Sequence, residues 1–389
     1  MHILILASFY PSDIRPYTGI LFQGQARAFH HAEQQVGVLV LPRIRETLHI
    51  MKSKFPPEFT RDDEDFPVYR MHRGWFPRVF PEVCAWLTHH HGVRVFQSYM
   101  DEHGKPDVIH AHNVFYGGYL ASQLGEKFDI PTVVTERSSN HISGRIFLPG
   151  QKRIVRKTFE KIDWVTAISA SLRNVLLKYY PDIDVVDNVV DVEAFDFKIP
   201  PIKQPFVFAS VGTLTYVKNF PLLIMAFKAA FGDDSNHLLK IGGEGRDRPK
   251  LEMLIRELGM ESQIELLGRL SHDEVKNLFQ DSHVIVSSSH IETFGATLIE
   301  AMACGRPVIA TRSGGPEGFV NEKNGLLVAN NDVEALASGM RTLVNTYDQY
   351  NLKDIREFCV NRFSETAITD KLLNRYEALC DVRSSDRKL

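Results

Sequence analysis

The sequence predicts an α/β protein of two doubly wound parallel sheets, and three observations carry that expectation. Strand-like and helix-like segments alternate along the chain, as crossover-connected parallel strands require. A length of 389 residues suffices for two domains with separate cores. Midway, Pro200, Pro201 and Pro205 crowd into a few residues, which marks a stiff connection and the best domain boundary.

In order, the first half offers short apolar strands at 2–8, 35–41, 68–72, 106–111, 131–135 and 164–169. Helical stretches follow near 20–33, 82–101, 114–128, 150–161 and 170–179. Residues 42–67 are charged, proline-bearing and weakly periodic, so a long surface excursion is expected there. In the second half, the apolar run 206–212 stops at Gly212 and leads into a helix over 220–231. Strands are predicted at 238–242 and 263–267. Ser271 and Glu274 form a capping-box pattern for the next helix, so Glu274 is read as structural. Strands at 283–286, 308–310 and 325–328 complete that sheet. A helix runs from Asn331 and Asp332 to about 346, and residues 364–381 have helical periodicity.

Composition excludes several classes. A chain with 44% hydrophobic and 24% charged residues is an ordinary globular protein. A net charge of −3 points away from nucleic acid. The apolar start at Met1–Ala7 is too short for a membrane span or a secretory leader and has no basic flank. Cys84, Cys304, Cys359 and Cys380 show no Cys-x-x-Cys pairing, which fits a reducing cytoplasm.

The chemistry concentrates between Ser287 and Glu300, Ser-Ser-Ser-His-Ile-Glu-Thr-Phe-Gly-Ala-Thr-Leu-Ile-Glu. A β-branched strand precedes it, and helix-forming residues follow until Gly305 and Pro307 end them. The N–H groups of the first helical turn, with the helix dipole, favour an anion in the polar turn. Gly295 lets a phosphate approach the backbone. Glu292 precedes the helix and Glu300 lies about two turns inside it, so the two carboxylates could take hydroxyls at opposite ends of an elongated ligand.

The Glu292-x7-Glu300 spacing, followed by Ala301-Met302-Ala303-Cys304-Gly305-Arg306-Pro307-Val308-Ile309-Ala310 and Gly314-Gly315-Pro316-Glu317, resembles the signature of family 4 glycosyltransferases. The resemblance implies a GT-B architecture: two Rossmann-like domains facing a cleft, with a C-terminal helix crossing back to the first domain. The domains expected are 1–198 on the acceptor side, 205–362 for the nucleotide sugar, and 363–389 for the crossing helix and tail. It implies a retaining transfer of a hexosyl group from a nucleoside diphosphate sugar, with no cofactor beyond the UDP- or GDP-sugar co-substrate. The acceptor would be a glycan or lipid-linked acceptor in cell-surface polysaccharide synthesis.

Site residues carry over one by one. Thr213-Leu214…Lys218 resembles the family's Gly-Arg-Leu…Lys element, with Lys218 matched and Thr213 standing where an arginine is usual. Lys218 and the N–H groups of Phe294, Gly295, Ala296 and Thr297 would stabilise the departing diphosphate. Glu300 would hold the ribose and Glu292 the donor sugar. Gly19, in Tyr17-Thr18-Gly19-Ile20, resembles the family's first glycine-bearing loop. His110-Ala111-His112 ends a strand with both rings on one face. A metal pair lacks a clear third ligand, and the resemblance assigns His112 to the reacting sugar. Glu136 and Arg137 end the next strand, where relatives carry Thr-Glu-His-Ser-Ser. They are read either as acceptor contacts or as a local polar pair. Asp187-Asn188-Val189-Val190-Asp191 with Phe195 resembles a family turn with two substitutions. No Asp-x-Asp motif stands in a loop suited to a metal-dependent transferase, so a metal-independent site is expected.

Lys152, Arg153, Arg156 and Lys157 lie in one basic helix. With Arg70, Arg73, Arg78, Arg137 and Arg145 in the same half, they raise a peripheral contact with an anionic membrane surface beside the plainer reading of a solvated face. Two other readings stay open: a GT-B epimerase of sugar nucleotides, and a weakly active donor-binding scaffold, motivated by Thr213 and Arg137. A dinucleotide-dependent dehydrogenase is disfavoured, because no Gly-x-Gly-x-x-Gly follows the first strand.

Overall fold

The computed structural model describes the chain except residues 13–17, 43–58, 64, 73–79, 145–147, 201–204, 233 and 387–389. Tyr17, most of the expected 42–67 excursion, Arg73, Arg78, Arg145 and Pro201 therefore lie outside the described residues. The chain forms two compact units. Met1–Val189 and the chain from Glu365 onward make the first, and Val190–Ser364 makes the second.

The first unit is built on an eight-stranded sheet. Its strands are β1 (His2–Ala7), β2 (Gln35–Val40), β3 (Phe59–Asp63), β4 (Pro67–Met71), β5 (Val108–His112), β6 (Thr132–Glu136), β7 (Trp164–Ala167) and β8 (Asp184–Val185). They run in the order β3-β4-β2-β1-β5-β6-β7-β8. Every pairing is parallel except β3 with β4, where Phe59 faces Met71. β1, β5 and β6 are buried along their whole lengths, as strands covered on both faces must be. β3 falls inside the expected excursion. Its sequence, Phe-Thr-Arg-Asp-Asp, carries charges suited to a sheet edge, so the apolar alternation that announces a strand is absent.

The second unit holds six parallel strands: β9 (Phe206–Val211), β10 (His237–Gly242), β11 (Ile264–Gly268), β12 (Val284–Ser287), β13 (Val308–Thr311) and β14 (Gly325–Val328). Their order is β11-β10-β9-β12-β13-β14. Phe208, Leu223, Phe227, Ile241, Ile309, Leu336 and Met340 form its core. The capping box is present, with Ser271 N donating to Glu274 Oε2 at 2.7 Å. The helices Arg248–Glu257 and Leu352–Phe363 were not read from the sequence. The first buries only Leu251 and Ile255, the second Ile355, Cys359 and Phe363, so each carries a thin apolar stripe.

The units divide between Val189 and Val190, ahead of the proline-rich stretch. Residues 190–198, expected in the first domain, are tied to the second unit by specific contacts. Val190 N donates to Phe363 O, Arg356 Nη1 donates to Phe195 O at 2.7 Å, and the buried Phe195 ring meets His272 and Phe279. The terminal helix Glu365–Asp386 returns to the first unit. Ile368, Leu372 and Tyr376 enter its core beside Ile3, Ile5 and Phe29. His31 Nδ1 lies 2.8 Å from Glu365 Oε2, and Arg383 pairs with Asp163 at 2.9 Å.

Candidate active site

In both sheets the strand order reverses beside the first strand of the unit, β1 and β9. Ligands of open α/β sheets bind beyond the carboxyl ends of strands at such a point. In the second unit those ends are the exits of β9 and β12. The first leads through Gly212 and Thr213 into a 3₁₀ turn, Tyr216–Lys218. The second leads through Ser288 and Glu292 to the helix Ala296–Ala303.

The two exits are sewn together by the Ser288 hydroxyl and a backbone bond. Ser288 Oγ donates to the carbonyls of Lys218 and Asn219, both at 3.0 Å, and His290 N donates to Val217 O at 2.8 Å. Glu292 bridges to the next loop: its N–H donates to Ser313 O at 2.9 Å, and its carbonyl accepts from Gly315 N at 2.6 Å. This clamp brings Lys218 Nζ to 2.6 Å from Glu292 Oε2. Gly315 has φ −58°, which suits any residue. A Cβ there would nonetheless stand 2.5–2.6 Å from the backbone of Phe294. Gly315→Ala is therefore expected to lower stability by about 1–3 kcal/mol, the scale of overpacking against atoms that cannot yield. An unchanged thermal midpoint for the full chain would contradict this.

Gly295 precedes the helix with φ 100°, in the left-handed region that disfavours side chains. Leu298 N and Ile299 N close back onto Gly295 O, which leaves the N–H groups of Ala296 and Thr297 at the head of the helix for an anion. Phe294 N makes a long contact, 3.5 Å, with Glu292 Oε1. Thr213 is exposed, and its carbonyl accepts from Thr215 Oγ1 at 3.4 Å. Glu300 keeps some solvent contact, yet burial of its carboxyl and then the charge of Asp191 push its pKa up to about 7.

The first unit holds a separate cluster. His112, at the end of β5, is fully buried. Its ring meets Phe22 edge-on at 4.7 Å and His110 at 4.9 Å, so the two histidines share a face, as period two requires. Neither nitrogen of His112 has a hydrogen-bond partner among the described residues. Burial, reinforced by Arg137 and His110, holds its pKa well below the usual range, so the imidazole is neutral at pH 7. His110 has both nitrogens engaged, Nδ1 at 2.6 Å from Tyr376 Oη and Nε2 at 2.7 Å from Thr135 Oγ1, which leaves none for a metal. Gly19 caps the first helix, Ile20–His31, with φ 85°.

Glu136 has a different task from the acceptor contact considered for it. The carboxylate is fully buried and accepts from the N–H groups of Val114 at 2.8 Å, Ser138 at 2.9 Å and Arg137 at 3.2 Å. Burial pushes its pKa up, but His141, 3.5 Å away, and these N–H groups outweigh burial and hold it low. It clamps the turns that follow β5 and β6. Arg137 is nine-tenths buried, its guanidinium bound to Gln25 Oε1 and Asn188 Oδ1 and lying over the Phe22 ring. Burial lowers its pKa to about 9, so it remains a cation at pH 7. The sequence carries no local signal for Gln25 or Tyr376. Asn188 and Asp191 belong to the turn that resembles the family's, but nothing local links them to Arg137 and Glu300.

Two family models match the chain. Residues 191–355 fit the family model for glycosyl transferases group 1, and residues 47–194 fit that for glycosyltransferase family 4. The chain belongs to the group 1 glycosyltransferases. An uncharacterized glycosyltransferase of Methanocaldococcus jannaschii is 30% identical over 253 residues, 61% of this chain and 66% of that protein. N-acetyl-alpha-D-glucosaminyl L-malate synthase of Bacillus anthracis is 28% identical over 299 residues, 72% of this chain and 76% of that protein. The chain spans just under two thirds of the first curated relatives it matches, 66% and 64% of their lengths. Among solved structures, sucrose-phosphate synthase from Thermosynechococcus elongatus superposes with a TM-score of 0.75 at 19% identity, covering 98% of this chain and all of that one. Anabaena HepE in complex with UDP gives 0.74 at 17% identity, covering 97% of this chain and all of that one. The fold is the GT-B fold of these glycosyltransferases.

Proposed function

We propose that the protein transfers a hexosyl group from a nucleoside diphosphate sugar to a glycan or lipid-linked acceptor, with retention, in cell-surface polysaccharide synthesis in the cytoplasm. The observation that carries the reading is the Lys218–Glu292 pair at 2.6 Å, set at the carboxyl edge of β9 and β12 beside an anion-binding helix end. As the diphosphate departs, negative charge grows on its oxygens. Lys218 and the N–H groups of Ala296 and Thr297 meet that charge, acting where it develops. Glu292 shares Lys218 with the diphosphate and turns an oxygen to the sugar hydroxyls. Glu300 takes the ribose hydroxyls. His112 is assigned to the donor sugar by resemblance, and its neutral ring offers one donor and one acceptor. The relative solved with UDP supports a nucleotide donor. The exposed cationic helix Pro149–Phe159 supports a peripheral contact with an anionic membrane surface.

The test is incubation with a panel of UDP- and GDP-sugars and candidate acceptors, read by mass spectrometry. Transferred sugar supports the reading. Epimerised free sugar nucleotide, or tight binding without turnover, replaces it with an epimerase or a scaffold. Activity is expected to survive excess EDTA, because Lys218 and the helix end supply the positive charge a divalent cation gives elsewhere. Turnover lost on chelation and restored by Mg²⁺ or Mn²⁺ would refute the metal-free mechanism.

A further inference from the structure

The first unit carries an apolar strip that the site does not use. Phe80, Val83 and Trp86, at the start of the helix Pro81–His103, are 54%, 39% and 60% exposed. Val83 and Trp86 stand three residues apart and neighbour each other on the helix surface, and Phe80 is the N-cap residue just before them. Trp86 stacks on His90 at 5.5 Å and 13° and stays largely exposed. The residue types matter, because tryptophan beside aliphatic surface prefers the boundary between headgroups and acyl chains.

This strip adjoins the cationic helix. Glu82 lies one turn before Trp86 on the same face, and Arg153 Nη1 reaches Glu82 Oε1 at 4.0 Å. The Gly150 backbone packs against the same carboxylate. The two helices therefore meet at their first turns. Ile154, Val155, Thr158 and Phe159 point inward, so Lys152, Arg153, Arg156 and Lys157 share the outer face, where they border an open hollow of about 670 Å³ with Glu160. Lys161, just beyond, is paired with Glu126 at 2.6 Å. Four cations thus face two carboxylates, Glu82 and Glu160, on a chain whose net charge is −3.

We propose that these two helix ends form one surface that docks on a fluid bilayer of anionic phospholipid, with Trp86 and Val83 entering the headgroup boundary and the four cations meeting the phosphates. The proposal deepens the membrane contact of the function argued above and rests on it, but not on the sugar-transfer chemistry. The occupant follows from complementarity: permanent cations need an anionic plane, and the adjoining apolar strip needs a yielding apolar layer just beneath it. A nucleic acid would satisfy the cations and could stack a base on Trp86, but would leave the aliphatic Val83 unmatched.

The experiment is flotation of the full chain with vesicles of phosphatidylcholine, with and without phosphatidylglycerol, paired with quenching of tryptophan fluorescence by lipids brominated near the headgroup. Binding to the anionic vesicles alone is expected, weakening as salt is added. Changing Lys152, Arg153, Arg156 and Lys157 to Gln should weaken it by about tenfold or more. Val83→Ser with Trp86→Ser should weaken it several-fold with all four cations intact, and Trp86→Phe should reduce the quenching while binding persists, the emission left being that of Trp75 and Trp164. Equal binding to both vesicle types, no binding at low salt, or the serine variant binding like wild type would each overturn the proposal. So would binding to a soluble acidic protein or nucleic acid in place of vesicles. Thermal melts and calorimetric donor binding on the same samples separate the two readings. Vesicle binding lost with donor binding kept is a failure of the surface variants alone, whereas vesicle binding without sugar transfer counts against the enzyme and leaves the surface standing.

Discussion

Lys218→Ala is expected to lower kcat/KM for sugar transfer by about 100- to 1,000-fold, the cost of removing one preorganised donor from a developing anion. The ammonium is held 2.6 Å from Glu292 Oε2 by a turn whose carbonyls are pinned by Ser288. Thr213, which the resemblance places where the family pattern carries an arginine, brings no charge. The loss should therefore exceed that for a site with two cations. Removing Lys218 also leaves the Glu292 carboxylate unbalanced beside the diphosphate. The Lys218→Ala/Glu292→Gln double variant should lose less than the product of the single losses. Steady-state kinetics at saturating acceptor decide it, and a Lys218→Ala enzyme within a few-fold of wild type would remove Lys218 from the chemistry.

Glu300→Ala should weaken nucleoside diphosphate binding by about 1–3 kcal/mol, the worth of a charge-assisted hydrogen-bond pair. The same residue should make binding depend on pH. Burial, then Asp191, raises its pKa from 4.5 to about 7 in the folded protein. A raised carboxyl pKa means the folded state holds the proton longer. Stability from this group is therefore present at low pH and falls as pH rises from about 4.5 through about 7. Only the carboxylate accepts from both ribose hydroxyls, so donor affinity runs the other way and rises through about pH 7. Calorimetry at pH values near 6 and 8 should show wild-type affinity increasing up to roughly tenfold, with Glu300→Gln flat. Unchanged affinity in Glu300→Ala, or an equal pH dependence in Glu300→Gln, would exclude the assigned role.

The sequence by itself determined the alternation of strands and helices, the largely apolar β1, β9 and β12, and the strand–turn–helix that carries Glu292, Gly295 and Glu300. Each rests on neighbours in the chain: burial on both faces leaves continuous apolar runs, and a helix end needs a glycine, a cap and a polar turn within a few residues. The tertiary structure decided what depends on distant partners. Glu136 reads as a polar strand end, yet its oxygens are taken by N–H groups from two separate turns. Residues 190–198 precede the proline-rich stretch, yet Phe363 and Arg356 hold them to the second unit. Edge strand β3 has no apolar alternation, and only its pairing with β4 makes it a strand. Trp86 and Arg153 lie far apart in sequence, and only the packing of their helices through Glu82 joins an apolar strip to a cationic face. In each of these cases the energy comes from a contact between chain segments whose spacing along the sequence carries no period, so local pattern has nothing to record.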